Sequence, residues 1–147
     1  MNRNTAPVAI VMIEDDEGHS RLIEKNIRRA GVNNEIMGFF TGGDAMEFLF
    51  KGGKDGAAHA NRQLLVLLDL NLPDTSGITI LERIKNDPHL KRTPVIILTT
   101  TDDQEEIKRC YDLGANAYVT KPLNYEGFAK AIQQLGLFIS IVKIPES

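Results

Sequence analysis

Short, mostly apolar runs punctuate the chain at regular intervals: VAIVMI (8–13), EIMGFF (35–40), LLVLL (64–68), VIIL (95–98) and AYV (117–119). Each has the length of a strand. Unbroken rather than alternating apolarity predicts strands covered on both faces. Between these runs the apolar positions fall three and four apart, as on one face of a helix. Leu22, Ile23, Ile27 and Ala30 form the first such face, with Gly31 as its stop. Ala45, Phe48 and Leu49 form the second, after Thr41 as N-cap. A third runs from about Gly77 with Ile78, Leu81 and Ile84, and a fourth from about Asp103 with Ile107, Cys110 and Tyr111. A fifth starts near Asn124. Five βα units in alternation predict an α/β fold, a doubly wound parallel five-stranded sheet with helices on both faces and right-handed crossovers. The glycine-rich, polar stretch KGGKDGAAHANRQ (51–63) reads as an extended exposed loop.

Composition narrows the setting. The 147 residues, 42% hydrophobic, suit one domain with a real core over 1–147. A net charge of −3 supplies no bulk attraction to nucleic acid or anionic lipid, so neither partner is expected. The single cysteine, Cys110, cannot form an internal disulfide, and no apolar run is long enough to span a bilayer. MNRNTAP leads straight into a strand-length run without the apolar region of a signal peptide, and the cytoplasm is the expected compartment.

In a doubly wound sheet, ligands bind beyond the carboxyl ends of the strands. Here those ends carry EDDE (14–17), Asp69, TTTDD (99–103) and TKP (120–122). If Glu14, Asp15 and Asp69 stand roughly 5 Å apart, each like-charged pair repels by about 3 kcal/mol at an effective dielectric of about 20. Such a site must hold a cation or keep a proton. Hard carboxylate oxygens suit Mg²⁺, and Lys121 is a second counter-charge. With its charge balanced, Asp69 can act as a nucleophile on phosphorus and become an aspartyl phosphate. In that chemistry Asp15 and Asp69 hold Mg²⁺ and Glu14 acts largely through water. Lys121 pairs with Asp69 or a phosphoryl oxygen. The Thr99 hydroxyl donates to a phosphoryl oxygen only when phosphate is present, which makes that bond a switch.

These residues, Glu14 and Asp15, Asp69 followed by LNLPDTSG, Thr99, then Tyr118 and KP at 121–122, resemble a response regulator receiver domain of two-component signalling over nearly the whole chain. The resemblance implies the flavodoxin-like strand order 2-1-3-4-5. It implies that the Asn71 main-chain carbonyl completes the Mg²⁺ shell and that Lys121-Pro122 is a cis peptide. It also implies that phosphorylation draws Thr99 inward and lets the Tyr118 ring turn toward the vacated space. The fourth helix, fifth strand and fifth helix are then the output surface. Asn71 and Thr101 resemble positions that set the autodephosphorylation rate. LDLNLPDTSG, IKNDPHLKRTPVIILTT, the long loop before the third strand and LFISIVKIP are similar to the single-domain, phytochrome-associated regulators, whose ending carries a tryptophan that this chain lacks. That likeness implies a sensor histidine kinase of phytochrome type as phosphodonor and a downstream protein as output.

Other readings compete. A flavodoxin-like electron carrier needs a phosphate-cradling loop where EDDE stands. A phosphatase of the haloacid dehalogenase type resembles this chain in its aspartyl chemistry, but Asn71 occupies the place of its second acid. A degenerate receiver, acting as a non-phosphorylated interaction module, would be expected to lack an acid or the lysine. The acids at 14–17 also suit a helix N-terminus, Thr99 to Thr101 suit helix capping, and His19, His59 and His89 have no metal-ligand spacing, so a surface role is expected for His19.

The last helix and tail, about 124–147, carry a stripe of Phe128, Ala131, Ile132, Leu135, Phe138, Ile139 and Val142. Gly136 is a candidate bend. Phe138, Ile139, Ile141, Val142 and Ile144 are hard to cover in a monomer and predict a homodimer through this helix and the tail.

Overall fold

The computed structural model describes residues 8–50, 63–121 and 125–141, with Tyr125 and 137–141 described by backbone alone. Its elements alternate as β1 (Ala9–Ile13), α1 (Glu17–Arg29), β2 (Ile36–Phe39), α2 (Gly42–Phe50), β3 (Leu64–Leu68), α3 (Gly77–Asn86), β4 (Val95–Thr99), α4 (Gln104–Asp112), β5 (Ala117–Thr120) and α5 (Tyr125–Ile141). All pairings are parallel, in the order β2-β1-β3-β4-β5. The flavodoxin-like order 2-1-3-4-5 and the five helices agree with the reading from sequence.

Alternate residues of the sheet divide the core in two. Val11, Ile13, Val66, Leu68 and Ile97 face Ala45 and Leu49 of α2, Ile80, Leu81 and Ile84 of α3, and Cys110 of α4. Ile10, Met12, Leu67, Ile96 and Leu98 face Ile23 and Ile27 of α1 and Phe128, Ile132 and Leu135 of α5. Because β1, β3 and β4 are buried at every position, their sequences are apolar without alternation, up to Thr99 at the end of β4. Each such side chain contributes roughly 1.5–3 kcal/mol on burial. The edge strands β2 and β5 depart from the expectation of cover on both faces: they are half-exposed, since each pairs on one side only.

Local chemistry sets the helix boundaries. Asp16 caps α1 by accepting from His19 N at 2.9 Å, and Gly31, at φ +88°, lets the chain leave it. Thr41 Oγ1 accepts from Asp44 N at 3.1 Å in the first turn of α2, and Ser76 caps α3. The competing reading of Thr99 to Thr101 as helix caps fails: Asp103 is the N-cap residue of α4, without a side-chain bond. Gly136 does not interrupt α5, which is helical from Tyr125 to Ile141. It serves close packing instead, since a Cβ there would lie 2.6 Å from Ala30 Cβ. The 51–62 part of the predicted loop lies outside the described residues, as do the Lys121-Pro122 bond expected to be cis, the side chains of Phe138, Ile139 and Ile141, and Val142 and Ile144. No helix among the described residues is long and apolar enough to cross a membrane.

Candidate functional site

Backbone pairing continues just past the strands and fixes where the polar side chains start. Glu14 N donates to Phe39 O at 3.0 Å, Asp69 N to Ile13 O at 3.0 Å, and Lys121 N to Thr99 O at 2.7 Å. Consequently Glu14 leaves β1, Asp69 leaves β3, Thr99 ends β4 and Lys121 leaves β5 at one edge of the sheet. The expectation that these groups converge holds.

Glu14, Asp15 and Asp69 each offer an oxygen within 4.8 Å of the others. Asp15 is exposed, whereas Glu14 and Asp69 are only 3% and 6% exposed. Lys121, 4% exposed, donates to Asp69 Oδ2 at 3.0 Å and to Glu14 Oε1. Burial pushes the Glu14 carboxyl above its ordinary range, even though the hydrogen bond and charge of Lys121 act in the opposite direction. A site with three carboxylates and one contacting ammonium is short of positive charge. Its hard oxygen donors, close together and partly open to solvent through Asp15, fit a divalent cation such as Mg²⁺ or Mn²⁺.

The other oxygen of Asp69, Oδ1, accepts from Asn71 N at 3.0 Å. The Asn71 side chain spans two loops, donating to Thr99 Oγ1 at 3.3 Å and Thr101 Oγ1 at 3.2 Å. Thr99 is fully buried. Tyr118 packs against the core and donates through its hydroxyl to the Thr101 main-chain oxygen at 2.7 Å. Burial pushes its phenol up to about 12, so it remains a donor at neutral pH. Its main-chain N–H is satisfied by the Tyr111 hydroxyl at 3.0 Å.

Two contacts were not anticipated. His19, expected at the surface, is half-buried: its ring stacks on Phe128 of α5 at 5.7 Å between centroids, with Nδ1 3.5 Å from Lys121 Nζ. A helix face shared by Leu22 and Ile23 gave too weak a signal for one histidine at its margin. Asp16 N also donates to Glu14 Oε2 at 3.1 Å, so the α1 cap and the acid site share a turn. The Asp-x-x-His spacing of an N-cap could have located Asp16.

Residues 10–133 match the response regulator receiver domain family. The chain is 33% identical over 145 residues to the response regulator Rcp1 of Synechocystis sp., covering 98% of this chain and 97% of that one. A crystal structure described as the Mn²⁺-bound form of Rcp1 superposes with a TM-score of 0.83, over 95% of this chain and 99% of that one. A receiver domain from Rhodospirillum rubrum is 65% identical, with a TM-score of 0.90 over 95% of this chain and 99% of its own. The phosphorylated cyanobacterial phytochrome response regulator RcpA is 35% identical, with a TM-score of 0.85 and the same coverage. The chain is thus related over its length to phytochrome response regulators. The fold, the acid site at the carboxyl edge and these similarities together make the chain a member of the response regulator receiver domain family.

Proposed function

We propose that this protein accepts a phosphoryl group on Asp69 from a sensor histidine kinase, in a reaction that requires Mg²⁺, and signals through protein contacts. The observation that carries the reading is the setting of the Asp69 carboxylate: one oxygen held by Asn71 N, the other by Lys121, beside two further acids. Asp15, Asp69 and the Asn71 main-chain carbonyl would hold the cation, with Glu14 acting largely through water. Bound there, Mg²⁺ supplies neutralisation of charge on the transferring phosphoryl oxygens. An Asp69 oxygen forms a bond to phosphorus as the bond from phosphorus to the kinase histidine nitrogen breaks, and that nitrogen keeps the electron pair. Lys121 and Thr99 donate to the phosphoryl oxygens. Thr99 turns to do so, giving up the Asn71 amide, and its movement changes the space beside the Tyr118 ring.

The similarity to RcpA supports a phytochrome-type kinase as donor. On this reading the chain is a single receiver domain that works in the cytoplasm, promotes its own phosphorylation and dephosphorylation without being a conventional enzyme, and passes its signal to a downstream protein. α5 and the tail that follows it form the homodimer contact. The presence of every acid, the threonine and the lysine argues against the non-phosphorylated module.

Intact mass after incubation with Mg²⁺ and a small acyl phosphate tests the acceptor. One alkali-labile phosphoryl adduct is expected on the native chain and none on Asp69→Asn. No adduct under rapid quench refutes phosphoacceptance, and an adduct retained by the variant refutes Asp69 as its site.

A further inference from the structure

The loop joining β3 to α3 is fastened at its tip by a group outside the set above. The Asp74 carboxylate accepts from two consecutive main-chain N–H groups of α2, Gly42 N to Oδ1 at 2.8 Å and Gly43 N to Oδ2 at 2.7 Å. First-turn N–H groups have no partner inside their own helix. Thr41 takes only Asp44 N, so Asp74 supplies the rest of the cap from across the fold. These two hydrogen bonds hold the Asp74 carboxyl below its usual range.

The contact is also closed sterically. A Cβ on Gly42 would lie 2.2 Å from Thr75 Cγ2, and one on Gly43 would lie 3.0 Å from Asp74 Oδ2. α2 therefore begins with two glycines where the loop presses against it. The root of the loop is fixed as well: Asn71 bridges to Ser76, and Gly77 N donates to Leu70 O at 3.0 Å. At Gly77 a Cβ would lie 2.4 Å from the Asp69 main-chain oxygen. A short turn held at root and tip restricts Asn71, whose N–H already orients Asp69.

We propose that Asp74 is a positioning residue of the cation site: by docking the β3–α3 loop on the first turn of α2, it sets the Asn71 main chain whose carbonyl would complete the shell of a bound cation. The inference rests on the phosphoacceptor reading above. The strands themselves place Thr99, Lys121 and the Asp69 main chain, so loss of the clamp weakens cation binding more than it slows the reaction at saturating cation.

The test is titration of the ¹⁵N-labelled full chain with Mg²⁺ alone, following amide shifts without phosphodonor, for the native protein, Asp74→Ala, Asp74→Asn and Gly42→Ala. Asp74→Ala is expected to weaken Mg²⁺ about tenfold, the lower end for residues that orient metal ligands. Asp74→Asn keeps one acceptor oxygen and falls between. Gly42→Ala retains the Asp74 charge but drives Thr75 off the helix, and it also weakens Mg²⁺. In acyl phosphate labelling, the Mg²⁺ concentration for half-maximal rate rises by more than the maximal rate falls. Native affinity in Gly42→Ala, with Asn and Ala equal at position 74, overturns the proposal and leaves Asp74 as a remote charge only. If Asp74→Ala does not fold by circular dichroism, Asp74→Asn and Gly42→Ala decide by the same criterion. A native chain that ignores Mg²⁺ overturns the phosphoacceptor reading and this inference with it, whereas a responsive native chain with indifferent variants overturns this inference alone.

Discussion

Replacing Lys121 with methionine removes the cation between two buried carboxylates while leaving a side chain of similar length. Glu14 and Asp69 are 3% and 6% exposed, so neither recovers full hydration in the folded state. The available relief is a proton. Glu14 is the group to take it, because burial already raises its pKa above 4.5. The pKa is then higher folded than unfolded, so the folded chain binds more protons. The penalty is absent below pH 4.5 and grows as pH rises, up to the folded pKa. At pH 7 protonation bounds it at roughly 3 kcal/mol, since each pH unit above 4.5 is worth about 1.36 kcal/mol, within reach of the roughly 3–5 kcal/mol measured for broken buried pairs. At pH 5 the same bound is about 0.7 kcal/mol. Urea unfolding in chelator, followed by far-ultraviolet circular dichroism, measures both, the chain having no tryptophan. Because Glu14 is already raised in the native chain, the expected result is a further loss of up to about 3 kcal/mol at pH 7 that largely disappears at pH 5 and is partly recovered by adding Mg²⁺. An equal loss at both pH values, or none at pH 7, would refute the electrostatic reasoning.

Gly136→Ala tests the contact between α1 and α5: overpacking against Ala30 costs about 1–3 kcal/mol, which outweighs the roughly 1 kcal/mol of helix propensity that alanine adds. In urea unfolding, the double variant with Ala30→Gly is expected to be more stable than Gly136→Ala, and a single variant as stable as the native chain counts against the contact. For the proposed homodimer, sedimentation velocity at micromolar protein is expected to show a dimer that Phe138→Glu dissociates, while a monomer at every concentration ends that proposal.

Much of this protein was legible without its structure, for a definite reason. Strands buried on both faces must be apolar throughout, so LLVLL and VIIL announced β3 and β4, and helical spacing announced the rest. Asp69, Thr99 and Lys121 were legible because each directly follows or ends a strand, and a parallel sheet brings all strand ends to one edge. The pairing of Lys121 with Asp69 was expected from sequence, but the further contacts across that edge were not. The sharing of Lys121 between Glu14 and Asp69, and the reach of Asn71 to both Thr99 and Thr101, depend on strand order and register, which set distances between residues far apart in the chain. The stacking of His19 on Phe128 and the hold of Asp74 on α2 were invisible for the same reason: one polar residue at a helix margin or loop tip carries no periodic signal. Gly136 shows the limit most clearly. Its missing Cβ suggested a bend while only its own helix was in view, but once α1 lay alongside, the same missing atom became the space that lets two helices meet.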